Sequence, residues 1–367
     1  MATIIDKIFD ILAEEIGVER DELVGDCEFA DLGVDNLLAK SIISRIEKLV
    51  EFTLVATIFD NYPTAADLQS HLYQTLKLPG LGSPNSVPPH PVSARPGPLS
   101  FVLQGKPQAC LKTLFLLPDG SGSGMAYARL PQIDPEICLI ALNSPYLRAP
   151  TTTNFTVDGI AALWATEIQS RQPHGPYFLG GWSAGGYYSF EVTKYLQRKG
   201  EKVEKLVLID SPCRLVYEAL PIEVVHFLSA RNLMGNWGSK SPPAWMVDHF
   251  DISIRAIENY MPTPLQGVHM PDVCIIWAEE GVLKRGDGRS TGLDMNVKIT
   301  QMLVERPQNK GALGWDRLFS GATVKVARMP GNHFTIVYPP NCVSLSALLR
   351  DSMHDRNGEI RGLWERV

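Results

Sequence analysis

A serine hydroxyl becomes an acyl-transfer nucleophile only when a base removes its proton and an acid orients that base. Ser183 stands in Gly181-Trp182-Ser183-Ala184-Gly185, where small neighbours let a tight turn project the hydroxyl while adjacent backbones approach closely. Chance alone produces such a pentapeptide in roughly one chain in ten of this length, so its surroundings carry the argument. A β-rich run precedes it, an amphipathic stretch follows, and Gly200 stands where a helix would end. The ordinary alternative is a tight turn with a surface serine. His333, in MPGNHFTIV after the strand-like TVKVAR, is the expected base. Asp210, ending KLVLID, completes the order Ser, Asp, His; its plain alternative is a helix N-cap before Ser-Pro. Glu279 and Glu280 follow IIWA and compete with it for the acid's role.

The other histidines fit the base's role less well. His71 lies in a helical segment, His90 in a Pro-rich stretch, His174 just before a strand and His354 in the C-terminal tail. His226, His249 and His269 fall in helix-like sequence where a solvated or packing histidine is the common reading. Acyl transfer also needs N–H donors for the tetrahedral oxyanion. Ala184, after the serine, supplies one; the glycine-rich loop Pro118–Gly124 supplies the second near Gly120 or Ser121. That loop lacks the Lys-Ser/Thr of a phosphate-binding P-loop, and a simple connection is its alternative reading.

Short β-rich runs alternate with longer amphipathic stretches behind these residues. The expected strands are Thr113–Leu117, Leu139–Leu142, Tyr177–Leu179, Lys205–Ile209, Val273–Trp277 and Thr323–Arg328, a rhythm that implies a mainly parallel sheet covered by helices. Between 212 and 271 the pattern turns helix-like, which places a lid there. Its Trp237, Trp245 and Met246 are expected either to line an apolar chamber or to pack the cap.

A different pattern occupies the first 77 residues. Ile5, Ile8, Leu12 and Ile16, then Leu38, Ile42, Ile46 and Leu49, recur at helical spacing. Thr64 and Asp67 form a capping pair ahead of Leu68 and Leu72. A small bundle of three or four helices is expected over 1–77, a linker over 78–99, where seven prolines fall between Pro79 and Pro98, and the α/β domain over 100–367.

A formal charge of -6 disfavours a broad basic surface for nucleic acid. The six cysteines are scattered, without a C-x-x-C pair or a metal-spaced His cluster, and read as free thiols. No signal peptide, membrane span or metal site is expected, and the expected location is cytoplasmic.

Taken together, LFLLPDGSGSG, GPYFLGGWSAGG, KLVLIDSP and PGNHF resemble the terminal thioesterase/Claisen-cyclase domain of fungal non-reducing polyketide synthases. The resemblance implies an α/β-hydrolase fold with a helical lid, and it favours Asp210 over Glu279 as the acid. Residues 1–77, with ADLGVDNLLAKSI, resemble the small all-α acyl carrier protein that precedes this domain in such synthases. Those carriers bear 4'-phosphopantetheine on the serine of Asp-Ser-Leu. Here the triplet is Asp35-Asn36-Leu37, an amide cannot accept the phosphodiester, and no cofactor is expected on this chain as written. Asn36 still suits a helix N-cap, and Ser41 and Ser44 lie inside the helix rather than at its start.

The implied activity is release of a polyketide from a carrier-protein thioester through an ester on Ser183, by Claisen cyclisation to an aromatic product. The implied partners are that acyl thioester and other domains of a polyketide synthase. Hydrolytic or lactonising release and a non-catalytic docking module are the alternatives, and the presence of Ser183, Asp210 and His333 argues against the last.

Overall fold

A computed structural model describes residues 4–16, 36–49, 58–62 and 64–75, six single positions among them, and 98–366 except 148, 150, 236–243, 268, 308–310 and 355–363. The chain forms two compact units, Met1–Leu103 and Gln104–Val367. The expected linker, 78–99, lies outside the described residues apart from its last two.

Among the described residues of the first unit four helices follow one another: α1 (Ile4–Ile16), α2 (Asn36–Glu47), α3 (Ile58–Asn61) and α4 (Ala65–Thr75). The stripes that the spacing singled out are inward-facing, with Ile5, Ile8, Leu12, Ile42, Ile46, Leu68 and Leu72 all buried. Thr64 caps α4 in both directions: its Oγ1 accepts from Asp67 N at 3.1 Å and donates to Asp67 Oδ2 at 2.8 Å. Ser41 Oγ donates to Glu15 Oε2 of α1 at 2.8 Å, so this hydroxyl is engaged within the bundle.

The division between the units falls inside β1 (Ser100–Gln104). The second unit alternates β2 (Lys112–Leu117), β3 (Ile137–Leu142), α5 (Val157–Arg171), β4 (Tyr177–Trp182), α6 (Ala184–Arg198) and β5 (Val203–Ile209). Two lid helices follow, α7 (Ile222–Ala230) and α8 (Ala244–Glu258), then β6 (Asp272–Glu280), α9 (Lys298–Glu305), β7 (Val324–Asn332), α10 (Cys342–His354) and the two-residue β8 (Glu365–Arg366). Within this unit the sheet order is β3-β2-β4-β5-β6-β7-β8. Every pairing is parallel except the last.

This is the α/β-hydrolase architecture. Its strands are largely buried, and all six residues of β3 and of β4 are. Helices must therefore cover both faces, and continuous apolar runs replace alternation. Parallel strands send their following loops out at one end of the sheet, which is where such folds bind ligands. The loops after β2, β4, β5 and β7 carry Gly120, Ser183, Asp210 and His333.

All six expected strands run past at least one of their expected limits, and β1 and β8 were not expected. The glycines and charges at their ends, such as Gly180, Gly181 and Glu280, join the sheet through ladder pairing rather than propensity. Among the described residues no helix is long and apolar enough to cross a membrane, no cluster of three or more His, Cys, Asp or Glu is placed to hold a metal, and five free cysteines are seen.

Candidate active site

β4 delivers the chain directly into α6, with Ser183 as the single residue between them. Its φ of 57° and ψ of -121° lie in a region that L side chains rarely adopt. The strain is sustained because the backbones around it pack closely. A Cβ on Gly181 would collide with the Gly185 backbone, and one on Gly185 would come within 2.6 Å of Leu117 O. The Ser183 N–H is also tied to Ile209 O of β5 at 2.9 Å.

The hydroxyl so presented meets His333, with Nε2 and Oγ 3.0 Å apart. The opposite ring nitrogen, Nδ1, lies 2.7 Å from Asp210 Oδ2. An ionised carboxylate only accepts, so Nδ1 carries the hydrogen and Nε2 is left to take the serine proton. Asp210, 1% exposed, also accepts Ala278 N–H on Oδ1 at 3.0 Å and Arg306 Nη2 on Oδ2 at 2.6 Å. Burial alone would raise its pKa. The Arg306 charge and the hydrogen bonds from His333 and Arg306 outweigh that and hold the carboxyl well below the usual range. Glu280 is directed elsewhere: its Oε1 accepts Gly331 N–H at 3.2 Å near the end of β7, and both Glu279 and Glu280 are exposed.

Beside Ser183 lies a cavity whose empty space, part of it open to solvent, is about 630 Å³. Gly120 and Ala184 line it with the three hydrogen-bonded residues. Ala184 N–H opens α6 and has no acceptor within the helix. No acceptor among the described residues takes the Gly120 N–H. Ser121 is different from what its position in the loop suggested: its N–H and hydroxyl both go to Asp119 Oδ1, at 3.2 and 2.5 Å, and it does not line the cavity. A buried carboxylate claims its donors first.

Residues 112–220 match the family described as thioesterase domain, and residues 6–72 match the phosphopantetheine attachment site family. The chain pairs a phosphopantetheine-attachment domain with a thioesterase domain. Its relatives include the non-reducing polyketide synthase terA of Aspergillus terreus, 35% identical over 94% of this chain and 18% of that protein. Polyketide synthase 1 of Metarhizium acridum is 35% identical over 89% of this chain and 15% of its own length. The chain thus spans less than a fifth of these curated relatives. A holo four-domain nonribosomal peptide synthetase bound to AMP and glycine shares the fold, with a TM-score of 0.55 at 21% identity over 96% of this chain and 26% of that one.

Trp245 and Met246 do not line the thioesterase domain's cavity, in keeping with the cap-packing alternative. Both lie at the start of α8, half-buried, and Trp237 lies outside the described residues. The apolar wall is Phe250, Ile254 and Ile257 from farther along α8, and Ile299, Met302 and Leu303 from α9. The covering segment therefore includes part of 281–306 as well as the expected 212–271. The spacing of Ile299, Met302 and Leu303 was the available signal for it.

Arg306, at the end of α9, is the other residue that sequence reasoning missed. Arg306→Gln removes the cation beside a buried carboxylate and is expected to lower stability by about 3 kcal/mol at neutral pH, measured by denaturant unfolding. Asp210's folded pKa lies below its unfolded one, so its stabilisation is complete above pH about 4 and is lost as pH falls further. The gap between wild type and variant should be widest above that pH and narrow on acidification; a gap independent of pH would remove the ionic role. Asp119 has the opposite sign, because burial, partly offset by Ser121, pushes its carboxyl up to about 6. Its effect grows as pH rises through that value and cancels in the comparison.

Proposed function

We propose that this thioesterase domain releases a polyketide from a carrier-protein thioester by way of an ester on Ser183, and that release is a Claisen cyclisation. The observation that carries the reading is the line of hydrogen bonds from Asp210 through His333 to Ser183, opening on a cavity with an apolar wall. In the first half-reaction Ser183 Oγ attacks the thioester carbonyl while His333 Nε2 takes its proton. The oxyanion is held by the N–H groups of Ala184 and Gly120, and the thiolate departs with the proton from His333.

In the second half-reaction His333 removes a proton from a carbon flanked by two carbonyls. That carbanion attacks the seryl ester, a C–C bond closes the ring, and Oγ leaves with the proton. Water competes for the same ester, giving hydrolysis instead. The six apolar side chains contributed by α8 and α9 favour the carbon nucleophile by excluding water.

The test is a poly-β-keto thioester mimic, followed by peptide mapping for an adduct on Ser183 and product analysis. A cyclised product supports the reading, the free acid alone replaces Claisen release with hydrolysis, and no adduct at all favours a docking module.

The first unit's match implies a phosphopantetheine arm, yet the residues present do not fit one. The attachment position is Asn36, where α2 begins, and an amide offers no hydroxyl oxygen to the phosphodiester. Ser41 and Ser44 lie well inside α2. Treatment with a phosphopantetheinyl transferase and coenzyme A should leave the chain's mass unchanged, while Asn36→Ser should gain the arm. An arm mapped onto wild-type Ser41 or Ser44 would sink this reading. The acyl group must then reach the thioesterase domain from a carrier other than this one.

A further inference from the structure

The loop that bears Gly120 is fastened at its far end by the residues after β3, where Gly122 O accepts Ser144 N–H at 2.7 Å and Asn143 Oδ1 accepts Gly124 N–H at 2.9 Å, and at Gly120 by the lid. His249, on α8 and 2% exposed, places Nδ1 2.9 Å from Gly120 O. A carbonyl only accepts, so Nδ1 carries a hydrogen and donates it, and in the neutral ring Nε2 carries none. Burial agrees, holding the imidazole down at about 4, so it is uncharged at neutral pH. The ring lies so close that a Cβ on Gly122 would overlap it, and a Cβ on Gly120 would come within 2.7 Å of the next lid residue, Phe250. The glycines of Asp-Gly-Ser-Gly are thus required by the approach of α8, a more specific role than a flexible loop.

The hydrogen bonds around this loop fix two successive peptide planes. The Gly120–Ser121 peptide is held at both ends, its oxygen by His249 and its N–H by Asp119 Oδ1 at 3.2 Å. The preceding Asp119–Gly120 peptide is held at its oxygen, which accepts Gly122 N–H at 3.0 Å. With both planes set, Gly120 N–H is the donor left over, on a residue that lines the cavity beside Ser183 and Ala184.

We propose that His249 is a positioning residue for acyl transfer: from the lid helix it grips the Gly120 carbonyl and thereby turns Gly120 N–H toward the oxyanion. Seating of α8 on the loop and completion of the oxyanion-binding pair are then one event, so a lid drawn away leaves Ser183 without its second donor. The inference rests on the acyl-transfer reading of this site. It goes beyond that reading by making the lid part of the catalytic geometry rather than only a cover.

The test measures the rate of Ser183 acylation and the half-saturating concentration with a thioester mimic for wild type, His249→Phe and His249→Asn, in the full chain. Phenylalanine keeps a ring against Gly122 but cannot donate; asparagine has an N–H donor near the position of Nδ1. Loss of one oxyanion donor lowers rates by roughly 100- to 1,000-fold in other enzymes, and misaiming one should be milder, about 10- to 100-fold. That loss is expected in the rate of His249→Phe with half-saturation little changed, and largely recovered in His249→Asn. A trifluoromethyl-ketone mimic, whose adduct is itself an oxyanion, should lose affinity in the same variant.

Equal rates in wild type and His249→Phe overturn the proposal, as does a loss confined to half-saturation or shared equally by His249→Asn. Should His249→Phe not fold, His249→Leu repeats the donor-less arm. A wild-type chain that is not acylated at all removes the acyl-transfer reading itself and the proposal with it.

Discussion

Thiol release from an acyl thioester by the Ser183→Ala chain is expected to fall by about 10⁵- to 10⁶-fold, close to the uncatalysed rate. The expectation follows from the division of labour in the site. His333 Nε2 has one acidic proton within reach, that of Ser183 Oγ at 3.0 Å, and without the hydroxyl there is no covalent intermediate to carry the acyl group. Residual turnover would come from the cavity and the N–H pair acting on attacking water. The fold should be unaffected, because the strained backbone is imposed by the packing of Gly181 and Gly185 and not by the hydroxyl, which makes no cap bond to α6. Thiol release followed spectroscopically, with thermal unfolding as the control, checks both halves. A variant that still turns over at the wild-type rate would remove Ser183 from the role of nucleophile.

Asp210→Asn should come second, with a loss of about 10⁴-fold, and here the tertiary surroundings sharpen the argument. Asp210 presents two acceptors to three donors: Ala278 N–H on one oxygen, His333 Nδ1–H and Arg306 Nη2 on the other. An amide can match only one side. If its oxygen faces His333, its NH₂ meets Ala278 N–H; if reversed, it meets the imidazole and the guanidinium, and the ring turns to the tautomer whose Nε2 is already protonated. That tautomer cannot accept from Ser183. Glu280→Gln serves as the contrast, since a carboxamide oxygen can still accept Gly331 N–H and turnover should stay within a few-fold of wild type. Equal losses in the two variants would reopen the choice of acid. Both are read from initial rates at saturating thioester.

The contrast between those carboxylates shows where sequence reasoning stops. Asp210 and Glu280 each follow an apolar run at a strand end, and local pattern gives them equal claims. Parallel pairing of β5 with β6 decides between them. It sets Asp210 behind Ile209, with its N–H on Ile276 O at 2.7 Å, and lets the carboxylate reach Ala278 N–H. Glu280 is instead paired with Asn332 across β6 and β7, which commits it to the end of β7.

Helices α1, α2, α4 and α6, most strands and the turn at Ser183 were legible because each is encoded within a few residues: apolar periodicity, a cap, small residues around a tight turn. The order of Ser183, Asp210 and His333 was legible for the same reason, one motif at a time. Their meeting was not, since 150 residues separate Ser183 from His333 and only the shared direction of parallel strands brings the loops to one end of the sheet. Arg306 lies 96 residues from the carboxylate it pairs with and reads along the chain as a solvated charge after a short helix. His249 reads as a packing histidine until α8 is laid against the glycine loop, and Ser121 reads as a free donor until Asp119 is seen to be buried beside it. Local sequence determined the elements and the chemically competent side chains. Tertiary packing decided which of them touch, because a hydrogen bond between distant segments depends on strand register and helix placement that no local window contains.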